Sequence, residues 1–211
     1  MTDYRRIKNK AHLLEFDQSR DLAICGKPLT MERATRFASE GAHDPTASFY
    51  FVLEDLFSQM EFDARSWLLD VGCSVGRTLA YFAEAEIPGR ATGIELDPEL
   101  AQYAQSWTKD FAQLDVIQGS ALDLPLKRFT HFYLFNPFDT NILLQFITRV
   151  EEDLNHPVTF CHMSDNGETY YYWGRPGWSQ LSEGSFEYCE SVPAYQCPQH
   201  YTIWRYDPAA R

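Results

Sequence analysis

The sequence predicts an α/β domain with a mostly parallel sheet and helices on both of its faces. Two observations carry this. Short apolar runs of strand length alternate with segments whose apolar residues recur at helical spacing. One stretch, residues 67–82, reads WLLDVGCSVGRTLAYF, a buried-strand run, a glycine turn and the start of a helix. That geometry turns backbone N–H groups and a helix N-terminus toward a ligand at the carboxyl edge of a parallel sheet.

Residues 1–45 have weak periodicity and are expected to form an arm or cap ahead of a main domain over 46–211. Leu13, Leu14 and Phe16 offer packing contacts, and Cys25-Gly26-Lys27-Pro28 reads as a turn. Asp44-Pro45-Thr46 is expected to open a helix, with Asp44 or Thr46 as N-cap. Its apolar face is Phe49, Val52, Leu53, Leu56, Phe57 and Met60. After the glycine turn, residues 91–96 read as the second strand. Asp97-Pro98 then caps and starts a helix with Leu100, Ala104, Trp107 and Phe111 on one side. Residues 115–118, 131–135 and 158–163 supply three more strands. Leu143, Phe146, Ile147, Val150 and Leu154 mark a helix between the last two, with Asp139 or Thr140 as its cap. Asn166-Gly167 is a predicted turn. The aromatic run Tyr170 to Trp173 fits either a core strand or a pocket lining. Residues 186–188 and 200–206 read as closing strands.

Composition narrows the function. The chain has 211 residues, enough for one domain with a sizeable core. No apolar run reaches the roughly 20 residues of a membrane helix. MTDYRRIKNK at the N-terminus lacks the apolar core of a signal peptide. Five cysteines without a C-x-x-C pair suit a reducing cytosol, and no H-E-x-x-H suggests zinc, so a cytoplasmic protein without a metal is expected. A net charge of −12 opposes general attraction to nucleic acid. The one basic cluster, residues 4–10, reads as a solvated terminus.

Spacing separates the nucleotide loops that share the strand–glycine–helix outline. G-x-G-x-x-G laid from Gly72 meets Ser74 and Arg77 where glycine is required, and the P-loop needs its second glycine one residue later than Gly76. Asp70-x-Gly72-x-Ser74-x-Gly76 instead resembles the first motif of the class I S-adenosylmethionine-dependent methyltransferases, with Ser74 at the middle glycine. Glu95 follows at the end of the second strand, where a carboxylate can accept both hydroxyl protons of a ribose. Ser120-Ala121 follows the third strand and Asn136-Pro137-Phe138 the fourth. Phe135-Asn136-Pro137-Phe138 is similar to the Y-N-P-F of small bacterial methyltransferase-like proteins of undefined substrate. It is also distantly like the asparagine-phenylalanine motif of the non-SET histone lysine methyltransferases. Asp44-Pro45-Thr46 matches the E-P-T of the bacterial group.

This resemblance implies a three-layer αβα Rossmann-like fold whose seven-stranded, mostly parallel sheet carries a terminal antiparallel strand. It implies S-adenosyl-L-methionine as cofactor, held by Asp70, Gly72, Cys73, Ser74, Gly76, Glu95, Leu96, Ser120, Ala121 and Asn136. Asn136 and Phe138 would face the sulfonium and its methyl. Asp139 and His162 are candidate bases, each with a capping or core role as the alternative. The methyl acceptor is expected to be a small molecule or a protein. Three other readings stay open. One is a silent S-adenosylmethionine-binding module. Another is an NAD-dependent oxidoreductase. The third is an amino-group methyltransferase acting on a nucleic-acid base or glutamine, whose N-P-P-[YF] motif has a second proline that this chain lacks.

Overall fold

A computed structural model describes residues 3–165 and 167–210. Seven strands form one sheet: β1 Trp67–Val71, β2 Arg90–Glu95, β3 Leu114–Gln118, β4 His131–Phe135, β5 Val158–Met163, β6 Trp178–Phe186 and β7 Gln199–Tyr206. Their spatial order is β3-β2-β1-β4-β5-β7-β6. The first five are mutually parallel, and β7 runs antiparallel to both of its neighbours. The sheet is therefore the predicted one, with a single reversed strand near one end. Its two faces bury separate apolar layers. One contains Leu68, Leu79, Phe82, Ala104 and Trp107; the other contains Leu69, Val71, Phe132, Phe146 and Phe160.

Five helices cover the sheet: α1 Lys10–Cys25, α2 Tyr50–Ser58, α3 Arg77–Glu84, α4 Pro98–Thr108 and α5 Thr140–Asp153. Asp97 caps α4 by accepting from the Glu99 N–H at 2.9 Å, with Pro98 in the first helical position. Asp139 caps α5, accepting from the N–H groups of Asn141 and Ile142. Among the described residues no helix is long and apolar enough to cross a membrane.

Four local expectations need correction. Helix α2 starts at Tyr50, and Asp44 and Thr46 do not cap it. Asp44 Oδ1 accepts instead from the Thr35 N–H at 2.8 Å, which holds residues 44–49 extended as part of the N-terminal segment. The aromatic run is not a strand. Glu168–Tyr171 is a 3-10 turn that buries Tyr172 against Trp204 and leaves Tyr170 and Trp173 exposed. The expected strand 186–188 is divided: Phe186 ends the sixth strand, which begins at Trp178, and Tyr188–Cys189 pairs with Val192–Pro193 in a separate two-stranded sheet. The sixth strand is an edge strand whose polar residues alternate with half-buried ones, so it has no apolar run to find. Of the Asn166-Gly167 turn, Asn166 lies outside the described residues; Gly167 takes φ +87° ahead of the 3-10 turn.

The fourth correction concerns α1, sixteen residues long where only weak periodicity was legible. It packs on α3. Its buried face carries Leu13 but also Asp17 and Asp21, both fully buried. Their partner is Arg77, the first residue of α3. Its Nε donates to Asp21 Oδ1 at 2.9 Å and a terminal amine to Asp21 Oδ2 at 2.6 Å, while Asp17 Oδ2 lies 3.4 Å from the other amine. Asp17 Oδ2 also accepts from the Tyr50 N–H. One arginine serves two acids. Burial pushes the Asp17 carboxyl up to about 7 against the pull of Arg77.

A carboxyl raised in the fold above its unfolded value binds its proton more tightly when folded. Its contribution to stability is therefore lost as pH rises from about 4 toward 7. Asp17→Asn is expected to gain roughly 2–5 °C in melting temperature over wild type at pH 8. The gain should shrink toward pH 5, and thermal unfolding at the two pH values checks it.

Candidate functional site

The glycine bend after β1 is fixed from three sides. The N–H groups of Gly72 and Cys73 both donate to the Ile94 carbonyl, at 2.9 and 3.1 Å, which folds the bend over the end of β2. The Trp107 indole N–H reaches the Val75 carbonyl at 3.0 Å. Gly72 (φ +74°) and Gly76 (φ +94°) take left-handed conformations. A Cβ on Gly72 would stand 2.7 Å from Cβ of Pro137, and one on Gly76 would stand 2.8 Å from the Trp107 ring. Both glycines are thus required by protein packing as well as by any ligand. Ser74, at the middle position of the motif, is also left-handed, at φ +50°.

Glu95 ends β2, directly beside this bend. Its Oε2 accepts from the Ser74 N–H at 2.8 Å and its Oε1 from the Asp97 N–H at 2.8 Å. The carboxylate is 8 % exposed. Burial raises it above its ordinary value, while the N–H groups of Asp97 and Ser74 favour the charged form. Each oxygen keeps further acceptor capacity, so a pair of vicinal hydroxyls can still be accepted there.

A cavity of about 290 Å³ opens against these groups at the carboxyl edge of the sheet. Gly72, Ser74, Glu95, Leu96, Ser120, Ala121 and Phe138 line it. A smaller space of about 20 Å³ adjoins it, with Thr46, Gly72, Ser74 and Phe135 common to both walls. Asp70, Cys73 and Gly76 line that second space. Asp70 is fully enclosed, and burial pushes its carboxyl up to about 7 against the Thr78 hydroxyl that donates to it. The Cys73 sulfur packs under Gly93, where an added Cβ would meet it at 2.4 Å, so Cys73 offers a ligand its backbone only.

Asn136 is not among the cavity-lining residues, although Phe135, Pro137 and Phe138 on either side of it are. Its backbone is left-handed (φ +41°), and its carbonyl accepts from His43 Nδ1 at 2.9 Å. The two candidate bases are engaged elsewhere. Asp139 caps α5. His162 is 1 % exposed in the core with Nδ1 3.0 Å from the Tyr172 hydroxyl, and burial lowers it to about 4.

Residues 33–46 supply the outer wall, of which only Asp44-Pro45-Thr46 stood out as a motif. Arg33, Thr35, Phe37, Glu40, His43 and Asp44 line the cavity. One end of this strap is tied to the start of α4. Arg33 and Arg36 both donate to Asp97 and Glu99, three of the four contacts falling between 2.8 and 3.0 Å. Burial pushes the Asp97 carboxyl up, and the Glu99 N–H and the two guanidinium groups outweigh it, leaving it below its ordinary range. The other end is tied to the turn after β4. Ala42 bridges to Phe138, the His43 N–H donates to the Pro137 carbonyl at 3.0 Å, and the Asp139 N–H donates to the Gly41 carbonyl at 2.8 Å. Among the described residues no group of three or more His, Cys, Asp or Glu is arranged to hold a metal.

A family model described as "Methyltransferase domain" matches residues 68–152. No curated protein matches the sequence. Solved structures share the fold at low identity. An RNA methyltransferase from Salinibacter ruber in complex with S-adenosyl-L-homocysteine is 18% identical, with TM-score 0.54, over 77% of this chain and 92% of that one. The YcgJ protein from Bacillus subtilis is 12% identical, with TM-score 0.58, over 75% and 98%. An rRNA methylase from Streptococcus thermophilus is 10% identical, with TM-score 0.56, over 77% and 99%. The domain match runs through the glycine bend, Glu95 and the turn after β4: residues 68–152 carry a methyltransferase domain, on the Rossmann-like sheet that these solved structures share.

Proposed function

We infer that the enzyme holds S-adenosylmethionine along the glycine bend and passes the methyl to a small molecule or an exposed protein side chain. The observation that carries this is the Glu95 carboxylate, bonded at 2.8 Å to the Ser74 N–H within one cavity wall. In this reading Leu96, Ser120 and Ala121 border the adenine and Glu95 accepts from the ribose. Gly72 and Ser74 flank the chain to the sulfur. Asp70, beside Cys73 and Gly76, draws the ammonium of the amino-acid end. Phe138 offers a ring near the sulfonium, worth about 0.5–2 kcal/mol, and Asn136 shapes the turn beside it. The bound cofactor supplies an electrophilic methyl, so the protein's own task is to bind, orient and exclude water.

Two features argue against a base or glutamine amide as acceptor. Enzymes with N-P-P-[YF] receive the target amine on the asparagine side chain and a backbone carbonyl of that motif. Here the carbonyls of Asn136 and Pro137 both already accept from His43. The outer wall carries Glu40 and Asp44, and Arg33 is paired with Asp97 and Glu99, so little positive charge remains there for a phosphate backbone.

Calorimetry with S-adenosylhomocysteine tests the cradle. Wild type is expected to bind and Glu95→Gln to bind about 10- to 100-fold more weakly, since hydrogen bonds to a charged group are worth about 1.5–3 kcal/mol. Equal affinities would remove Glu95 from the site. A carboxyl at about 7 facing an ammonium gives up its proton on binding. Affinity should therefore rise as pH increases through 7, with proton release that Asp70→Asn abolishes. Calorimetry in buffers of different ionisation enthalpy measures that release. The strap makes the third prediction. Exposed ion pairs contribute about 0–1 kcal/mol each, so Arg33→Ala/Arg36→Ala should speed release of S-adenosylhomocysteine by about tenfold. Raising salt should speed release from wild type and leave the variant unchanged, as read by stopped-flow fluorescence.

A further inference from the structure

We propose that His43 is the catalytic base of this enzyme, taking the proton from the acceptor group as the methyl is transferred. The assignment rests on the reading of the cavity given above. A carbonyl oxygen can only accept a hydrogen bond, so the contact between His43 Nδ1 and the Asn136 carbonyl places a proton on Nδ1. In the neutral ring Nε2 then carries the lone pair. No described residue hydrogen-bonds to Nε2, and the ring lies in the cavity wall at its exposed rim.

Position is fixed as firmly as tautomer. The main-chain N–H of the same residue bonds the Pro137 carbonyl, and Ala42 next to it bridges to Phe138. Backbone and imidazole are thus both docked on the Asn136-Pro137-Phe138 turn, where the sulfonium is expected. The two bases that the sequence suggested are committed elsewhere: Asp139 to its helix cap and His162 to Tyr172. The acids nearest in chain or charge are Glu168, whose Oε1 accepts from Thr140 at 2.5 Å and which the imidazole faces, and Glu40 and Asp44, which line the same cavity from its own segment. Asp139, at the start of α5, is a charged neighbour of Glu168.

The step balances simply. The acceptor atom's lone pair forms the new bond to carbon, and the sulfur–carbon bond breaks with its pair left on sulfur. The acceptor's proton moves to His43 Nε2, and water later removes it.

Two measurements test this. Long-range proton–nitrogen NMR of histidine-labelled protein bound to S-adenosylhomocysteine should show His43 protonated at Nδ1 and bare at Nε2; the opposite tautomer overturns the proposal without any acceptor. The second measurement follows label from methyl-tritiated S-adenosylmethionine into the small-molecule, protein and nucleic-acid fractions of a cell extract. The wild-type rate should climb with pH on one acid limb and level off. His43→Gln should cut transfer by about 100-fold or more and abolish the limb, with S-adenosylhomocysteine affinity unchanged. His43→Ala should regain activity when imidazole is added, which a structural role would not produce. Transfer that survives His43→Gln with an unaltered profile overturns the base and leaves the methyltransferase reading standing. A protein that binds the cofactor and labels no fraction overturns both.

Discussion

The arrangement depends on one carboxylate bridging two backbone turns. Glu95 accepts from Ser74 in the glycine bend and from Asp97 at the head of α4. Without it, two left-handed or extended segments would present unpaired N–H groups to a cavity. With it, the bend after β1 and the turn after β2 become one rigid edge. Asp97 then does two further things from its fixed position. It caps α4, and it receives Arg33 and Arg36 from the strap. A single chain of contacts thus runs from the bend through Glu95 and Asp97 to the outer wall.

The glycines belong to the same edge for a less obvious reason. The motif suggests that they clear space for a ligand. The packing around them is at least as demanding. Gly72 faces Pro137 and Gly76 faces Trp107, each with room for no Cβ. The loop is therefore closed on its protein side before any cofactor arrives, which is the preorganisation that lets binding energy go into orientation rather than ordering. The middle position is Ser74, whose left-handed backbone is held by the bond from its N–H to Glu95.

The sheet was legible because its strands bury both faces and so read as apolar runs: Trp67 to Leu69, His131 to Phe135 and Val158 to Met163 are of this kind. Glu95 and the caps Asp97 and Asp139 were legible because each sits at a strand end or helix start whose chemistry demands it. Helix α1 was not. Its inward face substitutes Asp17 and Asp21 for apolar residues, and their partner Arg77 lies 56 residues from Asp21 in sequence. A periodicity argument cannot find a face made of ion pairs. The strap was hidden for a related reason. Residues 33–46 have almost no regular structure, and their placement comes from Arg33, Arg36 and His43 contacting groups contributed by distant segments.

That hidden segment decides what the edge can accept. The carbonyls of Asn136 and Pro137, in the turn after β4, each have one acceptor site occupied by a histidine of the strap. The occupation has two consequences at once. It competes with a base or an amide for these acceptors, and it brings to the same turn an imidazole whose Nε2 has no hydrogen-bond partner among the described residues. If His43 is the base proposed above, the acceptor is one that must lose a proton to become a nucleophile, approached past Glu40 and Asp44. On the proposed reading, acids at the rim favour a cationic amine over an anion, in keeping with a base at its centre.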